Sequence, residues 1–270
     1  MFQHIYKVLD NETSLYYAWF QAMHTRVDIA LTSVECEANL TQVVESIQHK
    51  LFMLEHLSNF FDEKSELSKV NQQAAYHPVK VTEELFHIFE KCMEYNEQTL
   101  GCFDVCIQSA GYNKSLCQSI QLNPSKHTVS FPVEGMKVDL SGFIKGYAID
   151  RIAELLNESG IQNGLVNLGN SSILSMGNHP CGEGWKLSNG YVLKNQCMTV
   201  SGNDVPSRKH IFSPSVGQWV EGVGTVMLVT ESGTLGEVLS TAFFAASSEQ
   251  RTRLKARFAK ELIYYVENPS

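Results

Sequence analysis

An α+β fold is what this 270-residue sequence predicts, and three observations predict it. Apolar residues recur at helical spacing in several separated stretches. Runs of aromatic and β-branched residues read as strands between them. The two kinds of segment do not alternate with the regular βαβα spacing of a parallel sheet, so mostly antiparallel sheets with inserted and flanking helices follow. No repeat at solenoid periods, no low-complexity tract and no Pro- or Ser-rich linker interrupts the chain. Residues 1–270 therefore read as a single domain, with an arrangement in two lobes left open.

The elements come in this order. Tyr16–Thr32, rich in aromatic and β-branched residues, reads as a strand or hairpin arm. Leu40, Val43, Val44, Ile47, Leu51 and Leu54 mark a helix. Phe60–Asn71 is polar and reads as a loop. Thr82 is an N-cap for a second helix, with Glu83 and Glu84 in its first turn and Gly101 as its stop. Short strands flank Asn123-Pro124, a turn signal. Gly146–Ser159 is a third amphipathic helix closed by Gly160, and Leu165–Leu168 reads as a buried strand. Helices over Gly236–Ala246 and Ser248–Lys260 precede a last strand at Leu262–Val266.

A net charge of −8 argues against a general nucleic-acid binder, which needs a basic face to displace counterions from phosphate. The one basic run, Arg208-Lys209-His210, is enough for a small phosphate ligand and equally reads as a solvated loop. No apolar run is long enough to span a bilayer. Met1–Asn11 holds charges and no continuous apolar core, so a cytoplasmic protein is expected; a periplasmic, membrane-anchored lipoprotein is the alternative if a leader was removed. Seven cysteines without a CxxC pair read as small buried hydrophobes in a reducing compartment.

Four constellations carry chemistry-capable residues. In Val138-Asp-Leu-Ser-Gly-Phe-Ile-Lys-Gly-Tyr-Ala-Ile-Asp150, a strand end delivers Asp139 and Lys145-Gly146 opens a helix. Free N–H groups, glycine and lysine at a helix start suit a phosphate, and a strand–turn–helix joint with a capping aspartate is the plain alternative. Asn167-Leu-Gly-Asn170 ends a strand at a glycine, which fits either close backbone approach or an ordinary turn. Lys209-His-Ile-Phe-Ser-Pro214 places a histidine on a loop, where functional groups concentrate. Glu237 and Thr241 are four apart and share a helix face. A carboxylate and a hydroxyl so placed can hold a hard cation, or can be a dipole-favoured glutamate beside a packed threonine.

Taken in order, these blocks resemble the FAD:protein FMN transferase (ApbE-like) family. Met23-His-Thr25 is similar to its Met-Gly-Thr. Phe61 with Ser65-Glu-Leu-Ser-Lys-Val-Asn71 resembles its Tyr…Ser-Glu-Leu-Ser-x-x-Asn, and Gly101-Cys-Phe-Asp-Val105 its Gly-x-Phe-Asp. Val138–Asp150 resembles its Val-Asp-Leu…Lys-Gly-Tyr…Asp, and Asn167-Leu-Gly169, His210-Ile211-x-x-Pro214 and Glu237…Thr241 follow. The resemblance implies an ApbE-like fold and Mg2+-dependent transfer of FMN from FAD to a Thr or Ser hydroxyl of an acceptor flavoprotein, releasing AMP. It further implies that Met23, Phe61, Cys102, Phe103, Asp104, Asp139, Lys145 and Ile211 line the FAD site. Gly142, Glu237 and Thr241 would hold Mg2+, and His210 and Glu237 would be the catalytic pair. Several positions depart from the pattern. Phe61 replaces tyrosine, His24 glycine, Glu237 aspartate and Ser213 aspartate, while Asn170-Ser171 stands where Gly-Asp is usual. Most of these changes fall on the phosphate and metal side. A catalytically degenerate FAD-binding protein, or an FAD diphosphatase giving FMN and AMP, are the two further expectations.

Overall fold

The computed structural model describes residues 2–9, 13–205 and 210–268. Its frame is an eight-stranded sheet of β1 (Gln3–Val8), β2 (Ser14–Ala22), β3 (Thr25–Ser33), β4 (Asn163–Leu168), β5 (Ser172–Met176), β6 (Gln196–Asn203), β7 (Gly224–Thr230) and β8 (Tyr264–Asn268). Order in the sheet is order in the chain, and every neighbouring pair is antiparallel. The sheet is a meander, and everything else is inserted into its connections.

Between β3 and β4 lie α1 (Glu37–Ser58), α2 (Glu66–Gln73), α3 (Glu83–Gln98), α4 (Leu116–Ser119) and α5 (Ile144–Glu158), with a three-stranded sheet of Val79–Lys80, Gln121–Asn123 and Thr128–Ser130. The β5–β6 and β6–β7 connections carry the hairpins Trp185–Lys186/Val192–Leu193 and Phe212–Ser213/Gln218–Trp219. The β7–β8 connection carries α6 (Gly233–Ala245) and α7 (Ser248–Arg257). This is the α+β architecture expected, antiparallel strands with inserted helices. Among the described residues, no helix is long and apolar enough to cross a membrane.

Alternation along the strands decides which face is covered. In β2, Tyr16, Ala18, Phe20 and Ala22 are buried, and the residues between them are more open. That face packs under the helices: α1 presents Leu40, Val44, Ile47, Leu51 and Leu54, all fully buried, and α5 and α6 pack beside it. Each such side chain contributes about 1.5–3 kcal/mol by leaving water. The opposite face is closed only locally, where Ile173, Met198 and Val229 pack with Leu193 of the Val192–Leu193 strand.

Three local expectations change. Tyr16–Thr32 is two strands, joined by a two-residue turn at Met23-His24, where both φ angles are positive (53° and 58°). Such a turn favours Asn-Gly, so nothing in Met-His signals it. Phe60–Asn71 is only half loop. Ser65 caps α2, its hydroxyl accepting from the Ser68 N–H at 2.9 Å. The helix is short and polar, burying chiefly Leu67 and Val70, which leaves little periodicity to read. β4 is half-buried with strict alternation rather than buried throughout.

Candidate active site

Lys145, Glu237 and Thr241 share one cleft of about 430 Å3, together with residues from six other segments. Met23, His24 and Thr25 form one lip, at the turn between β2 and β3. Cys102, Phe103 and Asp104 come from the segment after α3, and Asp139, Ser141 and Gly142 from the segment before α5. Gly169 and Ser171 lie in the β4–β5 turn, Ser201 and Gly202 on β6. His210 and Ile211 follow β6, and Glu237 and Thr241 lie on α6. Eleven of the twelve site residues named from the sequence therefore line a single cavity. Its volume falls within the ~300–1,000 Å3 of small-molecule sites.

Polar side chains outside the cleft hold its walls. Asn71 of α2 clamps Val138, accepting from its N–H at 2.8 Å and donating to its carbonyl at 2.9 Å. That clamp fixes the strand end that delivers Asp139, whose Oδ1 then accepts from the Ser141 N–H (2.9 Å) and hydroxyl (2.6 Å). Glu66 accepts from the backbone N–H and the hydroxyl of Thr82, tying α2 to the start of α3. At the far end of α3, Asn96 donates to the Phe103 carbonyl (2.8 Å) and Thr99 accepts from the Phe103 N–H (3.1 Å). Asp104, next to it, is buried and accepts from the Cys106 N–H and the Tyr112 hydroxyl, both at 2.8 Å. Burial lifts its carboxyl above the ordinary carboxylate range.

The floor is set by two crossing helices. A Cβ on Gly146 would lie 2.3 Å from the Gly233 carbonyl oxygen and 2.5 Å from the Glu237 Cβ. Gly146 therefore serves the approach of α5 to α6 rather than the approach of a ligand, the role its place at a helix start implied. Asp150, one turn further on, caps α6, accepting from the Gly233 and Thr234 N–H groups (2.6 and 2.9 Å) and the Ser232 hydroxyl (2.8 Å). With the helices locked, Lys145 and Glu237 face one cavity. Lys145 donates to the Ser171 hydroxyl, and the Ser172 hydroxyl donates to Glu237 at 2.7 Å. Glu237 is only 5% exposed. Burial pushes its carboxyl above its ordinary value, against the pull of the Lys145 ammonium and the Ser172 hydroxyl.

Oxygen donors of the kind a hard cation takes line the same cleft. A Cβ on Gly142 would sit 3.6 Å from the Thr241 hydroxyl oxygen, and Ser201 lies 3.3 Å from that same oxygen. A backbone carbonyl, a hydroxyl and a buried carboxylate are an all-oxygen set, which fits a hard cation such as Mg2+. The Asn-Leu-Gly glycine has its own reason. Gly169 has φ +62°, and a Cβ there would lie 2.2 Å from the Thr25 hydroxyl, so the turn after β4 closes against the lip threonine.

Some expectations fall elsewhere. Phe61 does not line the cleft; it is 77% exposed and packs edge-on against Phe60 at 5.3 Å. Its N–H donates to Asn59, whose amide contacts His24, so it stands beyond the lip. Ser213 is buried outside the lining and donates to the Ala245 carbonyl at the end of α6 (2.7 Å), so the missing aspartate is not a change at the cleft surface. Asn170 is exposed in the turn, with φ 60° and its N–H on Asn167. Arg208 and Lys209 lie outside the described residues. Sequence reasoning missed Ser201 and Gly202, positions near the end of β6 with no motif, and gave no role to Asp150, whose spacing from Lys145 was visible.

The model of the ApbE family matches residues 23–265. This chain belongs to the ApbE family. Curated relatives named FAD:protein FMN transferase include one from Chlamydia muridarum, 22% identical over 79% of this chain and 78% of its own length. Another, from Klebsiella pneumoniae, is 20% identical over 83% of each chain. The chain spans about half the length of one from Buchnera aphidicola (48%), at 23% identity. Among solved structures, the Pseudomonas stutzeri flavinyl transferase ApbE superposes with a TM-score of 0.80 over 95% of this chain and 94% of its own, at 16% identity. The ApbE protein of Thermotoga maritima gives 0.77 over 91% of each chain at 22% identity. At such identities these likenesses show the fold alone.

Proposed function

We propose that this ApbE-family chain is a transferase that moves FMN from FAD to a Thr or Ser hydroxyl of an acceptor flavoprotein and releases AMP. One observation carries the reading: a single cleft joins an ammonium, a buried carboxylate, a hydroxyl and a histidine drawn from segments scattered between Met23 and Thr241. The reaction needs that set. The acceptor oxygen forms a bond to the FMN phosphorus, the bond from that phosphorus to the AMP oxygen breaks, and the acceptor proton goes to a base. Little covalent work falls to the protein; charge stabilisation and positioning dominate.

The residues divide the task. Met23, Cys102, Phe103, Asp104, Asp139 and Ile211 shape the wall for FAD. Lys145 opposes the negative charge of the pyrophosphate, and its bond to Ser171 aims it into the cleft. His210, on the rim, takes the acceptor proton. The Gly142 carbonyl, Glu237 and Thr241 would hold Mg2+, which neutralises charge on the phosphate oxygens when bound. Phe61 belongs to this reading as a ring beyond the lip that can stack on a bound aromatic.

A second reading rests on Glu237. Its carboxylate is one methylene longer than the family aspartate, is held by Ser172 and is pushed toward the neutral form by burial. Such a group binds Mg2+ less readily, which leaves an FAD-binding protein of weak activity. The test is incubation of the purified chain with FAD, Mg2+ and a flavoprotein acceptor. AMP release is followed by chromatography and protein-bound flavin by fluorescence on a denaturing gel. Equal amounts of AMP and bound flavin support transfer. AMP with free FMN and no bound flavin replaces it with FAD hydrolysis. Saturable FAD binding without AMP leaves the second reading.

A further inference from the structure

Behind the Phe103–Val105 wall lies a second cluster of ligand-type side chains that the cleft chemistry does not use. Asp104, Cys106 and Cys117 are all buried, and one carboxylate oxygen and two sulfurs from them lie within 4.8 Å of one another. Cys106 follows the cleft wall, and Cys117 lies on the short helix α4. Cys92 is buried on α3, which packs against α4. Two of the seven cysteines thus meet a buried carboxylate.

We propose that Asp104, Cys106 and Cys117 form a binding site for a divalent transition ion of the zinc class. Zinc–sulfur bonds of about 2.3 Å in a tetrahedron put two sulfurs about 3.8 Å apart, and ligand atoms all within 4.8 Å of one another are compatible with that spacing. Two thiolates select a borderline-soft metal and discriminate against Mg2+, so this site and the oxygen donors of Gly142, Glu237 and Thr241 want different ions.

The charge of Asp104 points the same way. It accepts from Cys106 and Tyr112, yet among the described residues no Lys, Arg or His pairs with it. A bound ion would supply the positive charge that lets this buried carboxyl ionise and act as a ligand. The competing account is that the thiols are packed as small hydrophobes. It explains Cys92 but gives no role to the convergence of a carboxylate oxygen on two sulfurs. Because Asp104 also lines the cleft, an ion here would stiffen the wall that carries Phe103.

The test is a Co2+ titration of the full chain under reducing conditions, on a Cys36→Ser/Cys181→Ser background that removes the exposed thiols. The expected result is one Co2+ per chain with thiolate-to-cobalt charge-transfer absorption and tetrahedral visible bands, both displaced by one equivalent of Zn2+. Co2+ at the oxygen donors of the cleft gives no thiolate band, so the two sites read separately. Cys117→Ala and Cys106→Ala should each abolish the band, and Cys117→Ala, on the short α4, is the milder change if the other fails to fold. Absence of a thiolate band in the background variant overturns the proposal. So does a band that survives in a folded Cys117→Ala chain.

Discussion

Helix α2 and the wall running from Asp139 to Lys145 meet at Val138, where Asn71 holds both backbone groups of that residue. On one side, Ser65, Glu66 and Asn71 spend their polar atoms on the protein: a cap, a tie to α3 and a clamp. On the other, Asp139, Gly142 and Lys145 face a cavity. Both blocks are dense in polar residues at fixed spacing, and they differ only in where those atoms point. The comparison teaches that a motif can be demanded by an active site it never touches, because the wall must be held before a ligand can be.

The largest effect that tests this division is on the cavity side. Lys145→Met removes the ammonium from the floor and leaves Ser171 and Glu237 without it. FMN transfer should fall about 100- to 1,000-fold, the loss typical of one preorganised charge-stabilising group. The thermal midpoint should move by only about 2 °C, since Lys145 is half-buried and ties no two helices together. A large fall in midpoint with unchanged kcat would place Lys145 in the scaffold instead.

On the other side of Val138 the expectation inverts. Asn71→Ala strips the buried Val138 of two hydrogen bonds. Unsatisfied backbone groups cost about 1–3 kcal/mol each, part of it recovered by relaxation, so a loss of about 2 kcal/mol is expected. For a chain of this size that is a drop of about 4–8 °C in midpoint, read by calorimetry. Activity of the folded fraction should fall far less than in Lys145→Met. Asn71→Asp keeps the acceptor and loses the donor, so it should land between wild type and the alanine variant.

Legibility followed the same line. The periodicity of α1 and α3 was readable because each buries one apolar stripe. Helix α2 was not, because it is eight residues long and its signal is a cap and two buried apolar side chains. Lys145, Glu237 and Thr241 were legible through spacing, but spacing alone could not tell a ligand glycine from Gly146, whose neighbour is a helix far along the chain. Ser201 and Gly202 were invisible for a simpler reason: a strand residue becomes a cleft residue only through what is packed beside it. Phe61 was placed by its motif alone, and its ring stands in solvent outside the cleft lining.

Glu237 offers a smaller and sharper test, because its charge is set by burial. Its folded pKa is raised, so the folded chain holds that proton more tightly than the unfolded chain. The contribution to stability is complete below the unfolded carboxylate value of about 4.3 and is lost as pH rises through the higher folded value. In EDTA at pH 7, Glu237→Gln should therefore melt a few degrees above wild type, roughly 2–4 °C per kcal/mol, and the gap should close at acid pH. Adding Mg2+ should stabilise wild type alone and narrow the gap at pH 7, because the ion binds the ionised carboxylate. A gap that ignores both pH and Mg2+ would remove Glu237 from the metal site.

The smallest expected effect belongs to Phe61, which sits on neither side of the division. Its ring touches Phe60 edge-on and is otherwise in water, while its backbone is fixed by Asn59, the residue that also contacts His24 at the lip. Truncation to alanine removes almost no buried surface, so the midpoint of Phe61→Ala should match wild type within about 1 °C. If the ring stacks on the bound flavin or adenine, its loss should weaken FAD binding by about 0.5–1.5 kcal/mol, roughly 2- to 12-fold in Kd by fluorescence titration. Phe61→Tyr should then bind at least as tightly as wild type, since the stacking face is kept. A Kd unchanged in both variants would assign residues 59–61 to the scaffold and leave the FAD wall to the residues that already line the cleft.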